Sequence, residues 1–211
     1  MNPVLLVLLS YLLGAIPTSH WVGRAIYGID LRQHGSGNLG ATNVYRVLGW
    51  KAALPVMLAD VGKGFVPAWL FPRIDDAVWT WALAYGTAAV LGHVYSMWVG
   101  FKGGKGVATS GGVMLGLAPW AVLAALAVWA LVVFTTRIVS LGSIVAALTV
   151  PVALLFLPSE GGRPLLGFTI ALAAFVIWAH RANIGRLARG QEHRFGRGPG
   201  QHVVPPVEHE R

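Results

Sequence analysis

Residues 119–136 read PWAVLAALAVWALVVFTT, a run without a single charge. As an α-helix it would be ~27 Å long at 1.5 Å per residue, close to the ~30 Å hydrocarbon core of a bilayer. Working outward from it, six more apolar segments appear, at roughly 4–23, 51–71, 77–97, 107–118, 138–158 and 164–183. Together they predict an all-α, polytopic transmembrane helix bundle of about seven helices. Segment 107–118 has only about half the length a crossing needs, so it reads as a short or half-inserted helix. Fused to 119–136, it would reduce the count to six and move the C-terminus to the other side.

The composition of the 211 residues agrees. Hydrophobic residues make up 55% and charged residues 11%, where a soluble domain carries about a quarter charged residues. Cysteine is absent, which excludes disulfides, thiolate nucleophiles and thiolate-bound metals. No basic region precedes Val4 and no cleavage site follows the first apolar run, so a cleavable signal peptide is not expected. Residues 1–195 read as a single transmembrane domain, and 196–211 as a mobile cytoplasmic tail rich in Gly, Pro and His.

A net charge of +8 could point to nucleic acid, but the cations lie at segment ends and in the tail, so no nucleic-acid partner is expected. With seven crossings and the N-terminus outside, the inner loops and tail hold Arg24, Arg32, Arg46, Lys51, Lys102, Lys105, Arg137, Arg181, Arg186, Arg189, Arg194, Arg197 and Arg211. The outer loops hold only Arg73 and Arg163, together with Asp75, Asp76 and Glu160. This asymmetry predicts N-terminus out and C-terminus in.

Two glycine-rich runs then fall on the inner side. The first runs from Gly35 through Ser36, Gly37, Asn38, Gly40, Thr42 and Asn43, with Arg46 one turn on. It formally matches the dinucleotide fingerprint, but that fingerprint needs a preceding strand, and the flank here is a membrane helix. What survives is anion chemistry: glycines let the backbone approach closely, the polar side chains offer donors, and Arg46 offers a bidentate fork for phosphate. The ordinary alternative is a polar loop with a helix cap. The second run, Lys102, Gly103, Gly104, Lys105 and Gly106, lacks the spacing of a Walker A loop. It still places a positive field at a helix N-terminus, where Thr109 and Ser110 can add hydroxyl donors. Its ordinary alternative is a pair of inner-side lysines beside a turn.

Asp60 and Lys63 lie three apart inside an apolar segment, a spacing that suits an ion pair facing the bundle interior. A structural role is favoured there over catalysis. His93 follows Gly92 near the inner end of the third segment, and a lone histidine is usually a satisfied hydrogen-bonding group. His180 and Asn183, also three apart, point together toward the inner surface. No grouping of His, Asp and Glu has metal-ligand spacing.

Taken in order, these motifs resemble the bacterial membrane acyltransferases that use acyl phosphate to acylate glycerol 3-phosphate. The likeness runs from Tyr11-Leu12-Leu13-Gly14-Ala15-Ile16-Pro17 to Glu192. Its most specific parts are Gly35 to Arg46, Gly92-His93 with Phe101 to Thr109, His180-Arg181-x-Asn183-Ile184, and Glu192; Asp30-x-Arg32 and Asp60-x-x-Lys63-Gly64 also fit. Two departures stand out: Ser96 where the family commonly has proline, and Trp178 where it often has a basic residue. The resemblance implies a seven-helix fold in the bacterial cytoplasmic (inner) membrane, and a cytoplasm-facing site without metal or soluble cofactor. It also implies that Ser36, Arg46, Lys105, His180 and Asn183 line the substrate phosphates and the reacting centre. The implied substrates are a fatty acyl phosphate and glycerol 3-phosphate, the products 1-acyl-glycerol 3-phosphate (lysophosphatidic acid) and inorganic phosphate. This is the first step of membrane phospholipid synthesis, and no obligate protein partner is implied.

Acyl phosphate is an activated mixed anhydride, so aligning the reactants and offsetting developing charge are the main tasks. No Cys–His pair or Ser–His–Asp arrangement is evident, and no histidine opens a His-x-x-x-x-Asp signature. The departing phosphate is the expected proton acceptor, with His180 as the competing base. The alternative from another class is a membrane carrier or channel for a phosphorylated solute. A carrier should show inverted repeats with broken helices near the midplane, whereas the charged glycine runs here sit at one surface.

Overall fold

Pro17 interrupts the first apolar segment, and that interruption organises one side of the bundle. The computed structural model describes residues 1–75 and 78–195, all helices, turns and loops; the tail assigned to 196–211 lies outside them. The single crossing expected at 4–23 is two helices, α1 (Pro3–Ala15) and α2 (Thr18–Tyr27). Proline has no N–H to continue the ladder, so carbonyls at the break need other donors. Ser96 donates its hydroxyl to the Ala15 carbonyl, and the Lys63 ammonium donates to the Ile16 carbonyl at 2.5 Å. Ser96, a departure from the family pattern, is thus employed at this break.

The remaining segments form α4 (Trp50–Trp69), α5 (Trp81–Val94), α6 (Val107–Leu117), α7 (Pro119–Thr136), α8 (Val139–Ala153) and α9 (Gly162–Ala179). Two short helices were not anticipated: α3 (Ala41–Leu48), inside the first glycine run, and α10 (Arg181–Ala188). Among the described residues, four helical stretches are long and apolar enough to cross a membrane: Pro3–Tyr27, Trp50–Arg73, Pro119–Thr136 and Gly162–Ala179. Helix α6 stays separate from α7, broken at Ala118-Pro119, and its 11 residues are too short to span.

Small residues let the helices approach closely. A Cβ on Gly64 of α4 would collide with the Thr109 carbonyl of α6, and one on Gly112 of α6 with the Val61 carbonyl of α4. Without those side chains the two backbones meet directly, the packing mode that replaces a hydrophobic driving force within lipid. Many large apolar side chains point outward, among them Phe134 at 85% and Phe156 at 81% exposure, as lipid-facing residues must.

The two ends of the bundle differ. At one end the N-terminal amine donates to the Ile74 carbonyl, and Trp79 lies against Gly161. At the other, Phe195 N–H donates to the Arg137 carbonyl at 2.8 Å. Helices α6 and α7 diverge from one turn, and α6 is shorter by seven residues, or roughly 10 Å at 1.5 Å each.

Candidate active site

The loop before α3 is built from its own side chains. Asp30 caps a short 3-10 turn at Leu31–Gln33 and accepts from the Arg32 guanidinium at 2.7 Å and from Arg24 at 3.2 Å. The Arg32 hydrogen bond, working against burial, holds the Asp30 carboxyl well below the usual carboxylate range. Gly35 (φ 62°) and Gly37 (φ 70°) turn the chain through left-handed conformations that side-chain-bearing residues rarely adopt. Asn43, 1% exposed, braces this turn from within. Its side-chain oxygen accepts the Ser36 N–H at 2.8 Å, and its amide donates to the Leu31 and His34 carbonyls at 3.2 and 3.0 Å. Asn43 was expected as a phosphate donor, but both its N–H groups are used inside the loop. Gly35 and Gly37 likewise shape the turn, while Ser36, Asn38, Gly40, Ala41, Thr42, Asn43 and Arg46 line a cavity. Gly40 precedes α3 without a side-chain cap, so the first N–H groups of α3 are open to a ligand.

The second glycine run divides. Gly103 and Gly104 lie against the end of α5, donating to the Val94 and His93 carbonyls at 2.9 and 3.2 Å. A Cβ on Gly103 would strike the His93 carbonyl, and one on Gly104 the His93 ring. Both glycines permit close packing against the end of α5, and neither lines the cavity. Lys102 is exposed and does not line the cavity. Thr109 is fully buried on the α4 side of α6, away from the cavity, because it lies one residue, about 100° of helix, from Ser110. Ser110 lines the cavity in its place, with Lys105, Gly106, Val107 and Ala108. The N-terminus of α6 therefore faces the same space as that of α3.

The third element closes the ring. The Lys105 ammonium donates to the side-chain oxygen of Asn183. The Asn183 amide donates to Glu192 at 2.6 Å, and Ser140 and Arg186 donate to the same carboxylate at 3.0 and 2.7 Å. Burial pushes the Glu192 carboxyl up, but these donors outweigh it and hold it below its ordinary value. Burial lowers Lys105 to about 8, with Arg186 and Arg46 adding to the shift and Glu192 opposing it. Burial also lowers the Arg46 guanidinium. His180, 3% exposed, donates from Nδ1 to the Val176 carbonyl at 2.8 Å. That bond leaves Nε2 as the unprotonated nitrogen of a neutral ring. Burial pulls the pKa of His180 down to about 4.

Asp60, Lys63 and His93 sit behind this ring. Asp60 and Lys63 pair at 2.7 Å, both nearly inaccessible, and His93 Nδ1 lies 3.7 Å from the same carboxylate oxygen. Asp60 and His93 reach the cavity wall, whereas Lys63 faces the α1–α2 break. The pair is a structural joint between the α1–α2 break, α4 and α5.

The cavity holds about 430 Å³. Its polar end carries the residues above, joined by Ser143, Arg186 and His193. From there an apolar groove runs between α6, α7, α8 and α9. Leu115 and Leu126 line it and are 37% and 54% exposed, so its flank opens toward lipid. Ser140, Ser143, Arg186 and His193 were not singled out from the sequence as site residues. A signal existed for three of them: two serines three apart open an apolar helix, and Arg186 follows Asn183 by three on α10.

Comparison with known proteins meets this geometry from outside. A protein-family model described as glycerol-3-phosphate acyltransferase matches residues 4–190. Among curated relatives, a glycerol-3-phosphate acyltransferase of Geobacter sulfurreducens is 48% identical over 92% of this chain and 98% of the relative. One of Fusobacterium nucleatum is 43% identical over 90% and 96%. The fold superposes on a crystal structure of PlsY (YgiH), an integral membrane glycerol 3-phosphate acyltransferase, in its glycerol 3-phosphate form. The TM-score there is 0.84, at 40% identity over 92% of this chain and 96% of that one. The lysophosphatidic acid form of PlsY gives 0.81 at 39% identity. With the fold, the polar ring and these likenesses in agreement, this multi-pass membrane protein is an acyltransferase, and the chain belongs to the glycerol-3-phosphate acyltransferase family.

Proposed function

We propose that the chain transfers the acyl group of a fatty acyl phosphate to the 1-hydroxyl of glycerol 3-phosphate, giving 1-acyl-glycerol 3-phosphate and inorganic phosphate. The observation that carries this reading is the union, in one cavity, of a basic polar end with an apolar groove. Two phosphates suit the first, and an alkyl chain suits the second. Forms of the related PlsY with glycerol 3-phosphate and lysophosphatidic acid support the same pair of ligands.

The hydroxyl oxygen attacks the acyl carbonyl carbon, the bond from that carbon to the phosphate oxygen breaks, and the hydroxyl proton passes to the departing phosphate. Lys105, Arg46 and the open N–H groups of α3 and α6 offset the charge on the phosphates. Asn183 and Glu192 hold the Lys105 ammonium in place. His180 orients the bound hydroxyl, accepting its hydrogen bond at Nε2, and the O–H turns to the acyl phosphate oxygen as attack begins. As a base it is weak, because burial lowers its pKa to about 4. That weakness favours the leaving phosphate over His180 as the proton's destination.

The basic ends of the segments support a cytoplasmic position for the site, in the bacterial inner membrane, with the N-terminus outside. Membership of an acyltransferase family favours the enzyme over a solute carrier. Donor exchange tests the reading: purified protein receives glycerol 3-phosphate with palmitoyl phosphate or with palmitoyl-CoA. Acylation from palmitoyl phosphate is expected, and acylation from the thioester alone would overturn the choice of donor.

A further inference from the structure

Resting on the acyl-phosphate reading, we infer that the closed end of the groove, formed by Val122, Val150 and Thr169, measures the acyl chain and sets the longest one the site accepts in full. Two helices give its depth independently. Along α8, the wall runs from Ser140 at the polar ring to Val150, ten residues or about 15 Å. Along α9, it runs from His180 to Thr169, eleven residues or about 16 Å. All four residues line the one cavity.

No residue lining the cavity lies further from the polar ring along α8 or α9 than Val150 and Thr169. Ala118, Ala121, Ala153 and Leu165, with exposures between 0 and 8%, pack into one cluster with Val122 and Met114 of the cavity wall. Trp79 and Phe168 seal its rim. Thr169 places a hydroxyl at this apolar floor, but it donates to the Leu166 carbonyl at 2.9 Å in its own helix. The floor therefore offers the chain end no polar partner. Helices α6 and α7 help to make the stop, because their shared turn at Leu117–Pro119 lies where the groove ends. A chain longer than the groove must bend out past Leu115 and Leu126 into lipid, leaving the surplus methylenes without the contacts that the walls provide.

Position 150 suits a test because it is only partly buried, so a change of size there is absorbed more readily than in the cluster behind it. Val150→Phe fills the end of the groove, and Val150→Ala and Val122→Ala deepen it. The full-length protein is assayed with decanoyl, dodecanoyl, tetradecanoyl, hexadecanoyl and octadecanoyl phosphates, each competing with the next. The readout is the ratio of kcat/KM values between neighbouring chain lengths. Methylenes displaced into lipid remain in an apolar medium, so what they lose is packing contact with the groove walls. Val150→Phe is therefore expected to move the optimum to shorter chains, with kcat/KM falling at each step beyond it. Val150→Ala and Val122→Ala should move it to longer ones.

A uniform change across all chain lengths, with the ratios of the unaltered protein preserved, overturns the inference. Should Val150→Phe not fold, the two alanine variants still decide it, since the ratio of longest to shortest chain must rise in both. Failure of the underlying reading looks different: the unaltered protein would then use none of the acyl phosphates.

Discussion

The Lys105 ammonium donates to the side-chain oxygen of Asn183, 78 positions later in the chain. This bond joins the start of α6 to α10, and through Asn183 it ties the cation to Glu192. It places a positive charge where phosphate would bind, with its side chain already ordered. Removing that charge by Lys105→Ala should lower kcat by about 10²- to 10³-fold, the usual cost of deleting one preorganised electrostatic group. A rate within about threefold of the unaltered enzyme would remove Lys105 from the chemistry.

The same lysine sets a pH dependence. Burial lowers it to about 8, and its charged form is the one below that value. In the free enzyme, kcat/KM should therefore fall as pH rises through about 8. Lys105→Arg, whose charge persists above pH ~12, should push that basic limb out of the measurable range. Stability should move the other way. The folded pKa lies below the unfolded value of 10.5, so between about 8 and 10.5 the unfolded state binds more protons, and stability rises with pH. Opposite trends in activity and stability across this window distinguish titration of Lys105 from alkaline unfolding.

His180 should not contribute an acidic limb. Its pKa of about 4 leaves it neutral throughout pH 5–9, so a limb near the second pKa of phosphate, ~6, belongs to substrate. His180→Ala should lose rate through poorer orientation and keep that limb. A variant whose profile loses the acidic limb while substrate affinity is intact would make His180 the base.

Asn43→Ala should act through the fold of its loop. It orphans the Ser36 N–H and the Leu31 and His34 carbonyls, and three hydrogen bonds at 0.5–1.5 kcal/mol each give a loss of about 1.5–4.5 kcal/mol. The thermal midpoint in detergent should drop, and KM for a phosphorylated substrate should rise with it. A higher KM at an unchanged midpoint would instead mean that Asn43 touches ligand.

Within the second glycine run, neighbouring residues should behave oppositely. Gly104→Ala drives a methyl group into the His93 ring, and an overpacked core position typically costs 1–3 kcal/mol. Lys102→Ala removes an exposed cation outside the cavity, and its turnover should stay within about twofold. Thermal midpoints and initial rates of both variants check the contrast.

These cases also mark where the sequence was legible. Apolar runs located every long helix, because lipid demands continuous hydrocarbon over a fixed length. The glycine–cation motifs brought Ser36, Arg46, Lys105, His180 and Asn183 to one cavity. The motifs did not separate glycines that meet a ligand from glycines that meet another helix. Gly103 and Gly104 are absent from the cavity wall because the space at their Cα atoms is filled by His93, a tertiary neighbour that no local pattern reveals. Thr109 and Ser110 were equivalent as hydroxyl donors until the rotation of α6 against α4 was known. The short helix α3 was hidden by the glycines before it, and Asn43 was read as a surface donor when its helix turns it inward. Ser140 lies in an apolar run whose hydrophobicity concealed the two serines at its start.

The most direct measurement is a stoichiometry. Purified protein in detergent receives palmitoyl phosphate and glycerol 3-phosphate, and inorganic phosphate and 1-palmitoyl-glycerol 3-phosphate are followed together. The predicted result is one phosphate released per acylated product, with both signals lost in Lys105→Ala. Phosphate release without acylated product, or no turnover by well-folded protein, would contradict acyl transfer between two phosphates held at one end of this cavity.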